Sequence, residues 1–435
     1  MKTEIRERVL QLNPWFDNAA LFSDEIARRI PDPFVVRATS VKRFDDPRKA
    51  KFIVGPRQAG KSTLVWSYLA NLEPKSVMFL NGEEALVRSW CDSAIGLVRD
   101  LQAEFPAVKT LFFDEAQHIE NMGLLAKGLV DSKAGLNIFV TGSSSFHLMD
   151  RVRESLAGRA ERRVLLPFSI DELSRHQGSS IPAVAKKRKR EIELRMAVIG
   201  GYPDVWFTDD PAHELSTLTE AFVLRDASDR FRLKRPDAMR GLLQLLARST
   251  GSLVNYSEFA AHLGVSVNTV RDYVSILEET WIVKMVPAFA GGRRREITKT
   301  PRIHFYDVGL RNSLTRSLDP NIEQRIDRGA ITETLVFSEL YKSLPPAWSI
   351  HFWKSKGGAE VDFVLESGSR LVAVEVKSAA KNKLTKSSRS FIDSYNPEQF
   401  ILVTLNEQDT KDKKEKNTTL KFIWLGDLAA ELSAL

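Results

Sequence analysis

"KFIVGPRQAGKSTLVWSYLANL", residues 51 to 72, places a short apolar run before a loop bounded by Gly55 and Gly60, with an apolar-periodic stretch after it. The order strand, loop, helix with G-x-x-x-x-G-K-[ST] spacing suits phosphate binding. Backbone N–H groups and a helix N-terminus can surround phosphate oxygens, and a lysine at the end of the loop reaches the outer phosphates. The loop therefore predicts a nucleotide site lined by Gly55, Pro56, Arg57, Gln58, Ala59, Gly60, Lys61, Ser62 and Thr63, with Ser62 as a ligand of Mg²⁺.

Outward from this loop, "SVMFLN", "TLFFDE" and "NIFVTGS" read as further short strands alternating with helical patterns up to about residue 145. That alternation argues for a parallel sheet with helices on both faces. Strand "TLFFDEA" delivers Asp114 and Glu115 to the sheet edge. Asp114 is suited to hold Mg²⁺ through water, and Glu115 to align or deprotonate a water attacking the terminal phosphate. "NIFVTGSSS" brings Thr141, Ser143 and Ser144 to the same edge, either to sense or orient that water or simply as a turn. Of the arginines beyond, Arg151, Arg153, Arg159, Arg162 and Arg163, Arg159 is the candidate finger supplied to a neighbouring subunit; surface ion pairing is its ordinary alternative.

The chain has 435 residues, which predicts two to four domains, and 43% hydrophobic with 27% charged residues excludes a disordered polymer. No apolar run reaches the eighteen or so residues that span a bilayer, and the first residues alternate charged with apolar groups, so a cytoplasmic protein without a membrane partner is expected. The single Cys91 excludes an intramolecular disulfide, and the seven histidines show no metal-ligand spacing. His118 reads as a surface or capping residue. A formal charge of +7 favours an anionic partner without naming it.

Residues 1–47 read as a helical arm broken at Pro14, Pro31 and Pro33, 48–165 as the phosphate-loop core, and 166–245 as a helical region carrying the basic run "KKRKR". Residues 246–318 have a different rhythm. Phe259, Ala260 and Leu263 share one helix face, Gly264 permits a turn, Ser266 caps a second helix, and Val270, Tyr273, Val274 and Leu277 recur at helical spacing. With two strands and a basic glycine loop after it, this predicts a winged helix-turn-helix. If it binds DNA, Asn268, Thr269 and Arg271 at the start of the second helix and Arg293, Arg294 and Arg295 in the wing are the expected contacts; the alternative is a packing module between domains.

Residues 319–435 contain "EVDFVLESGSRLVAVEVKSA", 360 to 379, a hairpin that carries charge among its valines. A turn centred between Gly368 and Ser369 sets Asp362 opposite Glu375 and Glu360 opposite Lys377, all on one face, with Val372, Val374 and Val376 on the other. Two carboxylates about 5 Å apart repel unless a cation lies between them. The pattern predicts either a divalent-metal site built from Asp362 and Glu375, with Lys377 as catalytic partner and Glu333 from an upstream helix as further ligand, or a sheet edge whose charges face water. Glu339 is a weaker helper.

The segments "GPRQAGKSTL", "FFDEAQ", "VTGSSS", "GGYPDV", "TVRDYVSILEETWIV", "HFYDVGLRN" and "EVDFVL...VEVKS" occur in the order found in P-loop ATPases of AAA+ type joined to a C-terminal DUF4143 domain, and the chain resembles that family along nearly its whole length. The resemblance implies an α/β protein: a parallel-sheet AAA+ P-loop core, a helical lid, a winged helix, and a C-terminal domain similar to PD-(D/E)XK restriction nucleases. Lys61, Ser62, Asp114 and Glu115 match the Walker motifs. Asp362, Glu375 and Lys377 match the nuclease motif, with Glu333 in the place of the helical acid. Such a protein is expected to be an ATP- and Mg²⁺-dependent, homo-oligomeric ATPase acting on DNA, in recombination, repair or branched-DNA processing, with nuclease activity open. The alternatives are a nucleotide-dependent switch that binds DNA or protein without cutting, and a protein-remodelling ATPase.

Overall fold

In the computed structural model, residues 1–38, 46–143, 158–221, 235–289, 291, 300–377, 384–405 and 412–435 are described. The chain divides into two compact units, 1–166 and 167–435. Among the described residues no helix is long and apolar enough to cross a membrane.

The first unit is built on β1 (Ala50–Gly55), β2 (Val77–Asn81), β3 (Thr110–Asp114), β4 (Asn137–Ser143) and β5 (Ala160–Val164), paired in the order β2-β3-β4-β1-β5. Every pairing is parallel. The apolar runs of β1 and β3 are buried throughout, as expected of strands covered on both faces. β5, "AERRV", is half-exposed along its length and lacks the apolar signature of the other four.

The N-terminal segment does not hang free. Trp15 is fully buried and meets Trp66 and Phe22 edge-on, at centroid distances of 6.2 and 5.2 Å. Its indole Nε1 donates to the Val77 carbonyl at 2.9 Å. The Asn13 side chain accepts from Phe79 N–H at 2.6 Å and donates to Phe79 O at 2.9 Å. One amide thus imitates a neighbouring strand and closes the outer edge of β2, which would otherwise present unpaired backbone groups.

In the second unit, helices Pro236–Arg248, Tyr256–Leu263 and Val267–Glu279 precede an antiparallel pair, β6 (Val283–Val286) and β7 (Arg302–Phe305). Gly264 takes the left-handed conformation between the last two helices (φ 61°), and Ser266 accepts from Thr269 N–H at 3.1 Å as the expected cap. "GGYPDV" and "HFYDVGLRN" interlock. The buried Asp307 accepts from Gly201 N–H at 2.8 Å and Leu310 N–H at 3.0 Å, and Asn312 donates to the carbonyls of Ala197 and Val198 at the end of the helix Pro182–Ile199. A Cβ on Gly309 would lie 2.0 Å from the Ile199 carbonyl, so only glycine permits this approach.

A six-stranded sheet completes the unit: β8 (Ser349–Lys354), β9 (Glu360–Ser367), β10 (Arg370–Lys377), β11 (Gln399–Thr404), β12 (Lys413–Glu415) and β13 (Thr418–Trp424), in the order β12-β13-β11-β10-β9-β8. β9 and β10 pair antiparallel with Phe363 opposite Val374 and Ser367 opposite Arg370, the register read from the turn. Phe363, Val364, Val372 and Val374 are fully buried.

Candidate functional site

The phosphate loop is shaped by its backbone. Gly55 has φ 151° and a Cβ there would stand 2.0 Å from the Leu165 carbonyl; Gln58 and Gly60 are left-handed at φ 56° and 88°. These turns bring the chain into the helix Lys61–Leu69 with its N-terminal N–H groups facing the loop. Lys61 is 6% exposed and its Nζ donates to the Pro56 carbonyl at 2.6 Å, so the amine lies across the loop, where outer phosphates would be met.

Ser62 Oγ donates to Asp114 Oδ1 at 2.7 Å. Because β4 lies between β1 and β3, Thr141 falls beside this pair and its hydroxyl donates to the same carboxylate oxygen. Burial pushes the Asp114 carboxyl up, against the pull of the Thr141 and Ser62 hydroxyls, and the Glu115 charge adds to the rise. A serine oxygen able to ligate Mg²⁺, hydrogen-bonded to a carboxylate able to accept from a metal-bound water, suits an ion that keeps several of its waters.

Glu115 leaves the strand in the left-handed conformation, φ 48°. The Gln117 amide donates to its carboxylate. Glu83 and His118, which the sequence does not connect with the site, bring ligand atoms within 4.8 Å of Glu115, and His118 is 37% exposed. Ser143 ends β4 at the expected edge; Ser144, Arg151 and Arg153 lie outside the described residues.

Arg37 is a further residue that the sequence does not mark. Its guanidinium is 8% exposed, donates to the Ala59 carbonyl at 2.7 Å and to the Leu166 carbonyl, and would meet a Cβ on Gly60 at 3.6 Å. In a trans peptide the C=O and the following N–H point opposite ways, so holding Ala59 O outward turns Gly60 N–H into the loop. A lone arginine in "PDPFVVRATS" has no motif to signal it.

Arg159 immediately precedes β5, and its carbonyl accepts from Ala50 N–H, at the start of β1. The loop follows the other end of β1, about 17 Å along the strand. Arg159 therefore does not serve the phosphate loop of its own chain. It is 41% exposed and its Nε donates to Asp131 at 2.5 Å.

Of the groove-reading residues expected in the second unit, Asn268 and Arg271 are exposed at the start of the helix Val267–Glu279, with the Arg271 guanidinium 5.3 Å from the Tyr256 ring centroid. Thr269 is partly turned inward, its hydroxyl 2.9 Å from that of Ser266. Arg293, Arg294 and Arg295 lie outside the described residues.

The charged hairpin resolves into two ionic groups. Glu375 is engaged by Lys377 and by the Ser388 hydroxyl, with Thr385 Oγ1 at 3.5 Å. Asp362 accepts from Val376 N–H at 2.8 Å. On its other side stands Arg302 of β7, whose NH1 is 4.0 Å from Asp362 and 3.7 Å from Glu333, and whose NH2 donates to Glu360 at 2.8 Å. Glu360 thus pairs with Arg302, and with Lys354 at 3.5 Å, rather than with Lys377. Burial, and then the Asp362 charge, push the Glu333 carboxyl up, and burial pushes Asp362 up as well. Among the described residues Glu333, Asp362 and Glu375 do not gather their oxygens within the 4.8 Å that one cation would span. The arrangement as folded does not fit a shared divalent ion. Glu339 is buried elsewhere, accepting from Ile170 N–H at 3.0 Å and pairing with Lys342 at 3.2 Å.

Residues 47–174 match the AAA domain family, 328–423 match DUF4143, and 191–321 match a further domain of unknown function, DUF8612. An uncharacterized protein of Methanocaldococcus jannaschii is 23% identical over 92% of this chain and 95% of its own, and one of Mycobacterium tuberculosis is 28% identical over 78% and 72%. Among solved structures, AMPPCP-bound DnaA from Aquifex aeolicus is similar over 58% of this chain and 92% of its own, at 12% identity and a TM-score of 0.27. The ORC2 protein of Aeropyrum pernix covers 71% and 98%, at 13% identity and 0.25. Scores this low bear on neither mechanism nor partner.

Proposed function

We propose that this chain, an AAA+-type P-loop protein with a C-terminal DUF4143 domain, is a Mg²⁺-dependent ATPase that couples nucleotide state to DNA binding by its second unit. The observation that carries the reading is the convergence of Lys61, Ser62, Asp114 and Thr141 at the end of a phosphate-binding loop. Lys61 leaves the Pro56 carbonyl for the outer phosphates of ATP. The loop N–H groups, Gly60 among them, take the remaining oxygens. Mg²⁺, held by Ser62 and by Asp114 through water, supplies charge neutralisation on the phosphates when bound. Thr141 fixes the Asp114 rotamer. Glu115, half-buried just past the end of β3, orients the attacking water and accepts its proton. In this reading Arg159, on the surface and far from its own loop, acts on the site of a neighbouring copy in a homo-oligomer.

The exposed Asn268 and Arg271 are the DNA contacts of this reading. For the C-terminal domain, binding without cleavage is favoured over nuclease activity, because Arg302 stands among the carboxylates and Glu375 is bound to Lys377. The test measures ATP hydrolysis with Mg²⁺, without DNA and with single-stranded, duplex or four-way-junction DNA, scoring strand cleavage in the same tubes. Turnover that rises with DNA, disappears in Lys61→Ala and leaves the strands whole is expected. Turnover indifferent to every DNA would sink the DNA coupling, and no turnover at all would sink the ATPase.

A further inference from the structure

Glu83, Glu115 and His118 bring one ligand atom each within 4.8 Å of one another, and no other trio of histidine, cysteine and acidic side chains does so among the described residues. The backbone holds them there. Glu115 precedes a single 3₁₀ turn, Ala116–His118, and side chains three residues apart eclipse in such a turn, so Glu115 and His118 share a face. His118 N–H donates to the Glu115 carbonyl at 3.2 Å. Glu83 follows the end of β2, where Gly82 N–H donates to the Asp114 carbonyl at 2.8 Å and a Cβ on Gly82 would stand 2.5 Å from the Glu115 carbonyl oxygen. That close approach sets Glu83 beside the imidazole, with 3.9 Å between its Oε1 and His118 Nε2.

The donor set selects the ion. Two carboxylates this close repel unless a cation lies between them. Mg²⁺ takes oxygen ligands and keeps its waters, whereas an imidazole nitrogen beside carboxylate oxygens suits Zn²⁺, held by three protein ligands with a fourth position left to water. Tetrahedral bonds of about 2.1 Å set ligand atoms about 3.4 Å apart, so the trio has to close by little more than about 1 Å, a movement open to side chains that are exposed or half-buried. The Gln117 amide, which donates to the Glu115 carboxylate, supplies the outer hydrogen bond that ligating carboxylates carry.

We propose that Glu83, Glu115 and His118 form a Zn²⁺ site, and that the bound ion inhibits hydrolysis by taking the Glu115 carboxylate away from the attacking water. The site stands on the geometry of the three side chains; the inhibition rests on the role given to Glu115 in the ATPase reading. A carboxylate that ligates Zn²⁺ gives its lone pairs to the ion and is a weaker base, so it no longer accepts the proton that the water must lose. Lys61, Ser62 and Asp114 lie outside the trio, so nucleotide binding is untouched and Zn²⁺ holds the chain with ATP bound and uncleaved.

Zn²⁺ binding is measured by calorimetric titration of the full-length, nucleotide-free protein in millimolar Mg²⁺, for wild type, Glu83→Gln, His118→Asn and Glu115→Gln, with thermal unfolding in the absence of Zn²⁺ to establish that each is folded. The wild type is expected to bind one Zn²⁺, with Kd raised at least about tenfold in every variant. Single-turnover ATP hydrolysis is then followed with free Zn²⁺ fixed by a metal buffer at about ten times the wild-type Kd. The wild-type rate should fall about tenfold by mass action, while Glu83→Gln and His118→Asn keep at least about half of theirs. A chain that binds Zn²⁺ through the trio and hydrolyses no ATP even without it upholds the site and removes the ATPase reading, and the inhibition with it. The site is overturned if the wild type binds no Zn²⁺ in excess Mg²⁺, or if the three variants bind it as tightly as the wild type. The inhibition is overturned if bound Zn²⁺ leaves the rate unchanged, or slows His118→Asn as much as the wild type.

Discussion

Ser62 and Asp114, far apart in sequence, meet through a hydrogen bond of 2.7 Å from hydroxyl to carboxylate. The contact exists because the loop ends in a helix whose first turn faces the end of β3, and Thr141 on the intervening β4 holds the same oxygen. In the proposed ATPase, Ser62→Ala removes one donor and one Mg²⁺ ligand while leaving Lys61 in place. About a tenfold weaker binding of Mg²⁺–ATP is expected, with nucleotide binding in EDTA little changed. Titration of a fluorescent ATP analogue with and without Mg²⁺ checks this, and equal losses in both conditions would argue that Ser62 only shapes the loop.

In the proposed ATPase, Asp114 serves the metal and Glu115, left-handed at φ 48° just past β3, serves the attacking water. Glu115→Gln should lower the hydrolysis rate by roughly 10² to 10⁴ and leave ATP affinity intact, the signature of a group that acts on the attacking water. Single-turnover hydrolysis beside equilibrium binding separates the two. An affinity loss that matched the rate loss would assign Glu115 to binding.

Arg37 orients the Ala59–Gly60 peptide through a 2.7 Å bond to Ala59 O. Arg37→Ala should raise KM for ATP by about fivefold to tenfold, the equivalent of one ordinary net hydrogen bond, with a smaller change in kcat. Arg37→Lys should recover part of the loss. A fall in kcat with unchanged KM would place the effect elsewhere.

The strands β1 to β4 are legible because each is a short apolar run buried on both faces, and the β9–β10 register is legible because one turn and one alternating pattern leave a single choice. β5 escapes because an edge strand half in water needs no apolar run, and its arginines instead suggest charge chemistry. The Asn13 clasp on Phe79 and the Arg37 brace on Ala59 carry no local signal, since a single amide or guanidinium acquires its meaning only from the backbone it meets. The hairpin shows the limit most clearly. Its acids Asp362 and Glu375 stand out in the sequence, but the cation answering Asp362 comes from β7, whose pairing with Glu360 no spacing within the hairpin encodes.

Glu193 offers a test of the second unit by pH. It is fully buried, its Oε2 accepts from Trp424 Nε1 at 2.5 Å and pairs with Arg190 at 3.0 Å, and its Oε1 has no hydrogen-bond partner among the described residues. Burial outweighs Arg190 and the indole, and pushes the carboxyl from its ordinary 4.5 up to about 8. Between those values the folded chain holds a proton that the unfolded chain has released, so stability falls as pH rises through that window and levels off above about 8. The slope is on the order of 1 kcal/mol per pH unit for this group. Glu193→Gln keeps the shape and fixes the neutral state, so it should unfold at a similar urea concentration to wild type near pH 5 and at a higher one at pH 8. Urea titrations at both pH values decide it: a gap that widens with pH places the proton on Glu193, whereas parallel profiles would mean that Arg190 keeps the carboxylate charged.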